Sequence, residues 1–157
     1  MSFSRVLVAV DDSPAALNAL VVALDAAVEW GSTVRVVTVT EDTDLGRRLG
    51  APESVSELDQ RIADSGRHLL EHARSLAEQR SLVIQSERLS GEPFREILQD
   101  ARSWEASLIV MGRSDRAGPA SPYLGSEVEH VLEFSEVPVL VVPRDPGTAR
   151  EITELRP

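Results

Sequence analysis

The residues best suited to bind a ligand lie in one glycine-bearing segment that runs from Gly112 to Ser126. Glycines let backbone N–H groups approach an anion closely, a serine hydroxyl adds a hydrogen bond, and the positive end of a helix dipole favours negative charge. Gly112 follows an apolar run, and Gly125 and Ser126 precede a segment with helical spacing. The segment therefore predicts an anion site, for which a phosphate group is a suitable ligand.

Two histidines, His68 and His72, enclose Glu71 in the pattern H-x-x-E-H of one class of zinc peptidase. Both fall at the polar edge of an apolar stripe that contains Leu69 and Ala73, which is typical of boundary positions on an amphipathic helix. No glutamate further along the chain is identifiable as a third ligand. We therefore predict a structural helix face. A metal-dependent hydrolase that uses His68 and His72 is a less favoured alternative.

The composition excludes several kinds of chemistry. The 157 residues include no cysteine, which rules out disulfides, iron–sulfur ligation and a cysteine nucleophile. They include no lysine, which rules out a P-loop NTPase and Schiff-base catalysis. The 26 acidic and 16 basic residues give a formal net charge of −10, so nucleic acid and anionic membranes are not expected partners. No apolar run is long enough to span a bilayer, and the first residues do not resemble a signal peptide, so we expect a cytoplasmic protein.

Short runs rich in β-branched residues alternate with segments of helical spacing, which predicts an α/β fold. The predicted strands are Arg5–Val10, Thr33–Thr40, Leu82–Arg88, Ser107–Met111 and Pro138–Val142. Most of these runs are continuously apolar, as in parallel strands that are buried on both faces. We therefore predict a doubly wound parallel sheet with helices on both faces. It forms one domain, residues 1–144, followed by a polar tail, residues 145–157.

Local signals mark where the helices begin and end. Helices are predicted over Ser13–Gly31 and Val55–Gln79, from Pro93, and from Ser126. Ser13 followed by Pro14 is a favourable N-cap and first helical residue. Ser126 together with Glu129 fits a capping box, so Ser126 is the expected N-cap of the last helix.

Four segments give the chain a resemblance to a known family. The first strand and its end read Val8-Ala9-Val10-Asp11-Asp12-Ser13, Gly91-Glu92-Pro93 precedes the third helix, and Val137-Pro138-Val139-Leu140-Val141-Val142-Pro143 is the last strand. Gly112, Asp115 and Gly125-Ser126 follow the spacing G-x2-G-x9-G-[ST] with one mismatch. In this order and spacing, over residues 2–144, the chain resembles the universal stress protein family.

The resemblance implies a five-stranded parallel sheet of order 3-2-1-4-5, with ATP bound where the first and fourth strands diverge. It implies that Ala9 and Asp11 lie beside the adenosine and that the backbone of Val39 hydrogen-bonds the adenine. The other cofactor-binding residues are expected at the end of the fourth strand and in the segment after it: Met111, Gly112, Arg113, Ser114, Asp115, Arg116, Gly125 and Ser126. The resemblance also implies a homodimer formed through the edge strand Val139–Val142, whose apolar run needs cover.

Asp115 departs from the ATP-binding pattern, which has glycine at that position. A carboxylate repels a triphosphate unless a cation intervenes, and Arg113 and Arg116 could neutralise Asp115 or bind phosphate directly. We hypothesise that this cluster keeps nucleotide affinity and adds dependence on a divalent ion such as Mg²⁺.

The predicted function is regulatory. ATP occupancy orders the segment Asp115–Leu124 and changes a surface that an unknown protein partner reads, in a stress-response or signalling module. No group of base, nucleophile and oxyanion donors points to rapid catalysis, so any ATP hydrolysis is expected to be slow. The main alternative is a member of the same family that does not bind nucleotide and acts as a dimeric interaction module.

Overall fold

Strands and helices alternate along the described residues of the computed structural model, which are 3–41, 52–113 and 124–145. The elements are β1 Arg5–Ala9, α1 Pro14–Trp30, β2 Thr33–Thr40, α2 Pro52–Glu78, β3 Ile84–Ser90, α3 Pro93–Ser103, β4 Leu108–Gly112, α4 Ser126–Phe134 and β5 Val139–Val142. The strands form one sheet of order β3-β2-β1-β4-β5 in which every pairing is parallel. The predicted α/β class and strand order are confirmed. The domain boundary at residue 144 stays a prediction, and residues 146–157 of the tail lie outside the described residues.

The side chains of each central strand alternate between two buried layers. In β1, Val6 and Val8 pack with α1 and α2 on one face of the sheet, whereas Leu7 and Ala9 pack with α3 and α4 on the other. Burial on both faces explains why β1 and β4 are continuously apolar. The helices that follow β1 and β4 therefore cover opposite faces, which makes the gap between these two strands the switch point of the sheet.

Helix α1 lies close to the sheet because its buried face consists mainly of alanine. Five of its seven buried residues are alanines, and Leu20 and Leu24 complete the face. Small side chains allow the helix backbone to approach the strands closely. In the part of the chain that the structure describes, no helix combines the length and the apolar character needed to cross a membrane.

The predicted ends of the elements differ from the observed ends by up to three residues. The third strand was expected over Leu82–Arg88, but β3 spans Ile84–Ser90. The reason is that the turn after α2 continues to Leu82, whose amide donates to the Ala77 carbonyl oxygen at 2.9 Å. Leu82 and Val83 look strand-like in sequence, yet Val83 is 93% exposed and precedes the first strand pairing.

Helix α1 begins and ends as predicted, whereas the predicted cap of α4 is wrong. Ser13 Oγ accepts a hydrogen bond from the Ala16 amide at 3.2 Å, and Gly31 ends the helix at φ 65°. Ser126 is not an N-cap but the first residue of α4. Gly125, at φ 94°, is the N-cap and offers no side-chain acceptor. Helix α4 thus begins one residue earlier than the capping box at Ser126 predicts. The positive φ of Gly125, which glycine adopts easily, makes the turn into the helix there.

A largely buried ion pair joins β2 to α3. Arg35 donates from Nε and Nη2 to the two carboxylate oxygens of Asp100 at 2.7 and 2.9 Å. The two side chains are only 16% and 12% exposed. The hydrogen bond to Asp100 raises the pKa of Arg35 above its ordinary value, and burial opposes this effect only in part. The pair fixes α3 against the sheet.

Candidate functional site

A cavity of about 560 Å³ opens at the carboxyl ends of β1 and β4. Its walls come from the ends of β1, β2 and β4 and from the first turns of α1, α3 and α4. This is the switch point at which open parallel sheets bind ligands. The volume lies within the range of roughly 300–1,000 Å³ that small-molecule sites occupy.

One half of the cavity is apolar. Val37 and Val39 from β2, Met111 from β4, Ile97 from α3 and Val128 from α4 line it. Most of these side chains also belong to the hydrophobic layer beneath α3 and α4, so their positions are fixed by core packing. A wall of this kind suits a flat, weakly polar ring system.

The edge of β2 supplies backbone polar groups to the same half. The Val37 carbonyl accepts a hydrogen bond from the Val10 amide, whereas the Thr40 carbonyl accepts one from Gly91 beyond β3. Alternate residues of a parallel strand direct their N–H and C=O groups to opposite neighbours. Val39 is in phase with Val37, so its amide and carbonyl lie on the edge that faces the cavity. Since β1 pairs with β2 only as far as Val37, these groups lie beyond the last paired residue.

The other half of the cavity is polar and lies near two helix starts. Asp11 Oδ1 accepts a hydrogen bond from the Ser13 amide at 2.8 Å, which turns the chain from β1 into α1. Across the crevice, the Arg113 amide donates to the Val142 carbonyl at 2.7 Å, so the residue after β4 is held against β5. Gly125 and Ser126 bring the first turn of α4 to the same opening. A helix start beside an arginine favours an anionic group.

Gly112 has a packing role that the sequence pattern does not reveal. A Cβ atom at this position would lie 2.4 Å from the backbone carbon of Ala15 and 2.4 Å from the nitrogen of Ala16. The end of β4 thus contacts the first turn of α1 directly, with no room for a side chain. Glycine is required here by the fold, whether or not a phosphate binds beside it.

The lining of the cavity is acidic overall. Among the described residues that line it, Asp11, Glu41 and Glu127 carry carboxylates and Arg113 carries the one guanidinium. Glu127 is partly buried, and its Oε2 accepts a hydrogen bond from the Phe94 amide at 2.9 Å. The start of α4 therefore favours a bound anion, whereas the excess of carboxylates in the described cavity lining opposes one.

The structure brings together every described residue of the predicted site. Ala9, Asp11, Val39, Met111, Gly112, Arg113, Gly125 and Ser126 all line the cavity. Ser114, Asp115 and Arg116 lie outside the described residues. Sequence reasoning missed Glu41, Ile97 and Glu127. The position of Glu41 directly after β2 was a usable signal, because the carboxyl ends of parallel strands meet at one edge of the sheet.

His68 and His72 lie elsewhere, on the exposed side of α2. Together with Asp12 and Asp64 they border a shallow, open depression between α1 and α2. In residues 3–41, 52–113 and 124–145, no group of three or more histidine, aspartate and glutamate side chains is placed to hold a metal ion. The structure thus gives the zinc hydrolase alternative no ligand set among these residues.

The fold and the cavity define a doubly wound α/β domain with a crevice at its switch point. The family model "Universal stress protein family" matches residues 2–143. The universal stress protein MJ0531 of Methanocaldococcus jannaschii is 31% identical over 145 residues, covering 89% of this chain and 82% of that protein. The universal stress protein YxiE of Bacillus subtilis is 30% identical over 146 residues, covering 89% and 99%. The chain belongs to the universal stress protein family.

Solved structures show the same fold. Protein MJ0577 of M. jannaschii superposes with a TM-score of 0.74 at 22% identity, covering 92% of this chain and 99% of that one. A universal stress protein in complex with cAMP has a TM-score of 0.66 at 20% identity and coverages of 92% and 100%. A universal stress protein of Archaeoglobus fulgidus in complex with dAMP has a TM-score of 0.63 at 23% identity and coverages of 90% and 99%.

Proposed function

We propose that this chain is a regulatory domain that binds an adenine nucleotide, ATP among them, in the crevice between β1 and β4. The observation that carries the proposal is the single cavity lined by all eight described residues of the predicted site. Its apolar half suits an adenine ring, and the Val39 backbone offers the donor and acceptor that an adenine edge needs. Two structural relatives, in complex with cAMP and dAMP, are consistent with this ligand class.

The phosphates would lie at the polar half, against Gly125, Ser126 and Arg113. The first turn of α4 provides backbone N–H groups, and Arg113 provides a guanidinium that matches phosphate geometry. Ser114, Asp115 and Arg116 extend this set in the proposal, with Mg²⁺ as a counter-ion. Binding rather than turnover is the proposed activity, with at most slow ATP hydrolysis.

Two measurements test the proposal. Freshly purified protein is denatured and its supernatant is analysed by ion-exchange chromatography, where we expect a co-purified adenine nucleotide. Calorimetry then compares ATP binding by the wild type, Arg113→Gln and Arg95→Gln. Arg113 lines the cavity, whereas Arg95 is an exposed residue of α3 paired with Glu92. Loss of the charge–phosphate contact in Arg113→Gln should weaken ATP binding about tenfold, and the control should change it less than about twofold.

An empty cavity under saturating Mg-ATP, adenosine and AMP would overturn nucleotide binding. The chain would then fit the alternative, a dimeric interaction module of the same family.

Both proposals include a homodimer that forms through β5. The support for this dimer is the exposed apolar edge of that strand. Leu140 is 37% exposed on this outer strand. Pairing with a second β5 would cover this strand edge.

A further inference from the structure

Glu127 connects two helices that line the cavity, α3 and α4. It lies in the first turn of α4, and its carboxylate crosses to α3, where Oε2 accepts from the Phe94 amide at 2.9 Å. Helix α3 has no cap of its own from the side chain of Glu92. Glu127 thus takes the place of the missing N-cap, because it accepts a hydrogen bond from one of the free amides at the start of α3.

Ring stacking holds this arrangement in place. The Phe94 ring stacks on His130 with 4.6 Å between centroids and on Phe134 with 6.2 Å. Phe94 therefore contacts α4 from its first turn to its last residue, at Glu127, His130 and Phe134. The hydrogen bond to the Phe94 amide holds the Glu127 carboxylate at the wall of the cavity.

Among the residues that the structure describes, the cations of the cavity lining do not balance its carboxylates. The described cavity lining has three carboxylates and one guanidinium. Glu127 also opposes the positive end of α4, because it lies in the first turn of that helix.

We infer that Glu127 is a specificity-determining residue that sets the charge of the nucleotide accepted by this site. The favoured ligands carry one or two negative charges: a nucleoside monophosphate, a cyclic monophosphate, or a triphosphate whose charge is reduced by a divalent cation. A free triphosphate, with about four negative charges, is disfavoured because each added phosphate charge interacts with the fixed carboxylate. The inference rests on the proposed function and specifies the ligand class of the same site.

The experiment measures affinity along a series of ligands with increasing charge. Adenosine, cAMP, AMP and ATP are titrated calorimetrically into the wild type in EDTA at low ionic strength, and ATP is titrated again with Mg²⁺. We expect ATP in EDTA to bind about tenfold more weakly than AMP. Mg²⁺ should restore most of the ATP affinity, and added salt should reduce the difference between AMP and ATP because it screens the charges.

Glu127→Gln and Glu129→Gln form a matched pair of variants. Both remove one negative charge from the first turn of α4, but Glu129 is exposed and does not line the cavity. The glutamine oxygen at position 127 can still accept from Phe94, so the cap and the fold are retained. In EDTA, Glu127→Gln should strengthen ATP binding about tenfold and leave adenosine unchanged, whereas Glu129→Gln should change ATP affinity less than about twofold.

The outcomes separate this inference from the proposed function. If adenosine bound, and if AMP and free ATP bound with equal affinity, the inference would be overturned and the proposed function would stand. Equal effects of the two substitutions would also overturn the inference, since they would show a general helix-dipole effect. A failure of adenosine and every nucleotide to bind would overturn the proposed function and the inference with it. Thermal melts of both variants confirm that the comparison is between folded proteins.

Discussion

Replacement of Gly112 by alanine tests the close approach of β4 to α1. The new Cβ would lie 2.4 Å from backbone atoms of Ala15 and Ala16 and 2.7 Å from the Ala15 carbonyl oxygen. Ordinary contact begins at 3.4 Å, so α1 and β4 must separate by about 1 Å. The atoms on both sides belong to the backbone, so no side-chain rotation can relieve the clash.

The cost of this separation can be estimated from overpacking in other cores. Insertion of a methyl group into a close-packed interior costs about 1–3 kcal/mol, and a backbone clash belongs at the upper end of this range. We therefore expect Gly112→Ala to lose about 3 kcal/mol of the free energy of unfolding. For a chain of this length, the loss corresponds to a decrease in Tm of roughly 6–12 °C.

Urea unfolding followed by circular dichroism measures the loss, with Gly31→Ala as the control. Gly31 has φ 65° and no heavy atom within 4 Å of its ideal Cβ, so only the backbone conformation is penalised there. That penalty is about 1 kcal/mol. If Gly112→Ala lost no more stability than Gly31→Ala, the close approach of β4 to α1 would be wrong, and Gly112 would need another explanation.

Three further predictions concern the ion pair and the edge strand. Asp100→Asn leaves Arg35 largely buried without its full partner, so the free energy of unfolding should fall by about 2–3 kcal/mol in urea, against less than about 0.5 kcal/mol for the exposed Asp64→Asn. Asp100 raises the pKa of Arg35, so the arginine keeps its charge up to a higher pH than usual, and the Asp100→Asn deficit should be the same at about pH 7 and about pH 10. If this loss of stability became smaller between the two pH values, Arg35 would not be the charged partner of Asp100 over this interval. Leu140→Arg should convert a dimer to a monomer in light scattering, whereas Gln85→Arg on the opposite edge strand should leave the mass unchanged.

The sequence alone determined the architecture of this protein. Continuous apolar runs such as the one in β4 predict strands buried on both faces, and the helical segments between them require a doubly wound sheet. Ser13 and Gly31 marked the ends of α1 correctly because caps are local features of the backbone. The glycine spacing from Gly112 to Gly125 predicted residues that the structure brings to one cavity.

Only the tertiary structure decided which other residues share that cavity and which neighbours they contact. Ile97 and Glu127 come from different helices, and no spacing along the chain shows that they meet at one end of the sheet. The bond from Phe94 to Glu127 spans 33 residues, and the clash that requires glycine at 112 depends on how closely α1 packs. Local pattern specifies the type of each element, but packing distances between elements arise from all their side chains together.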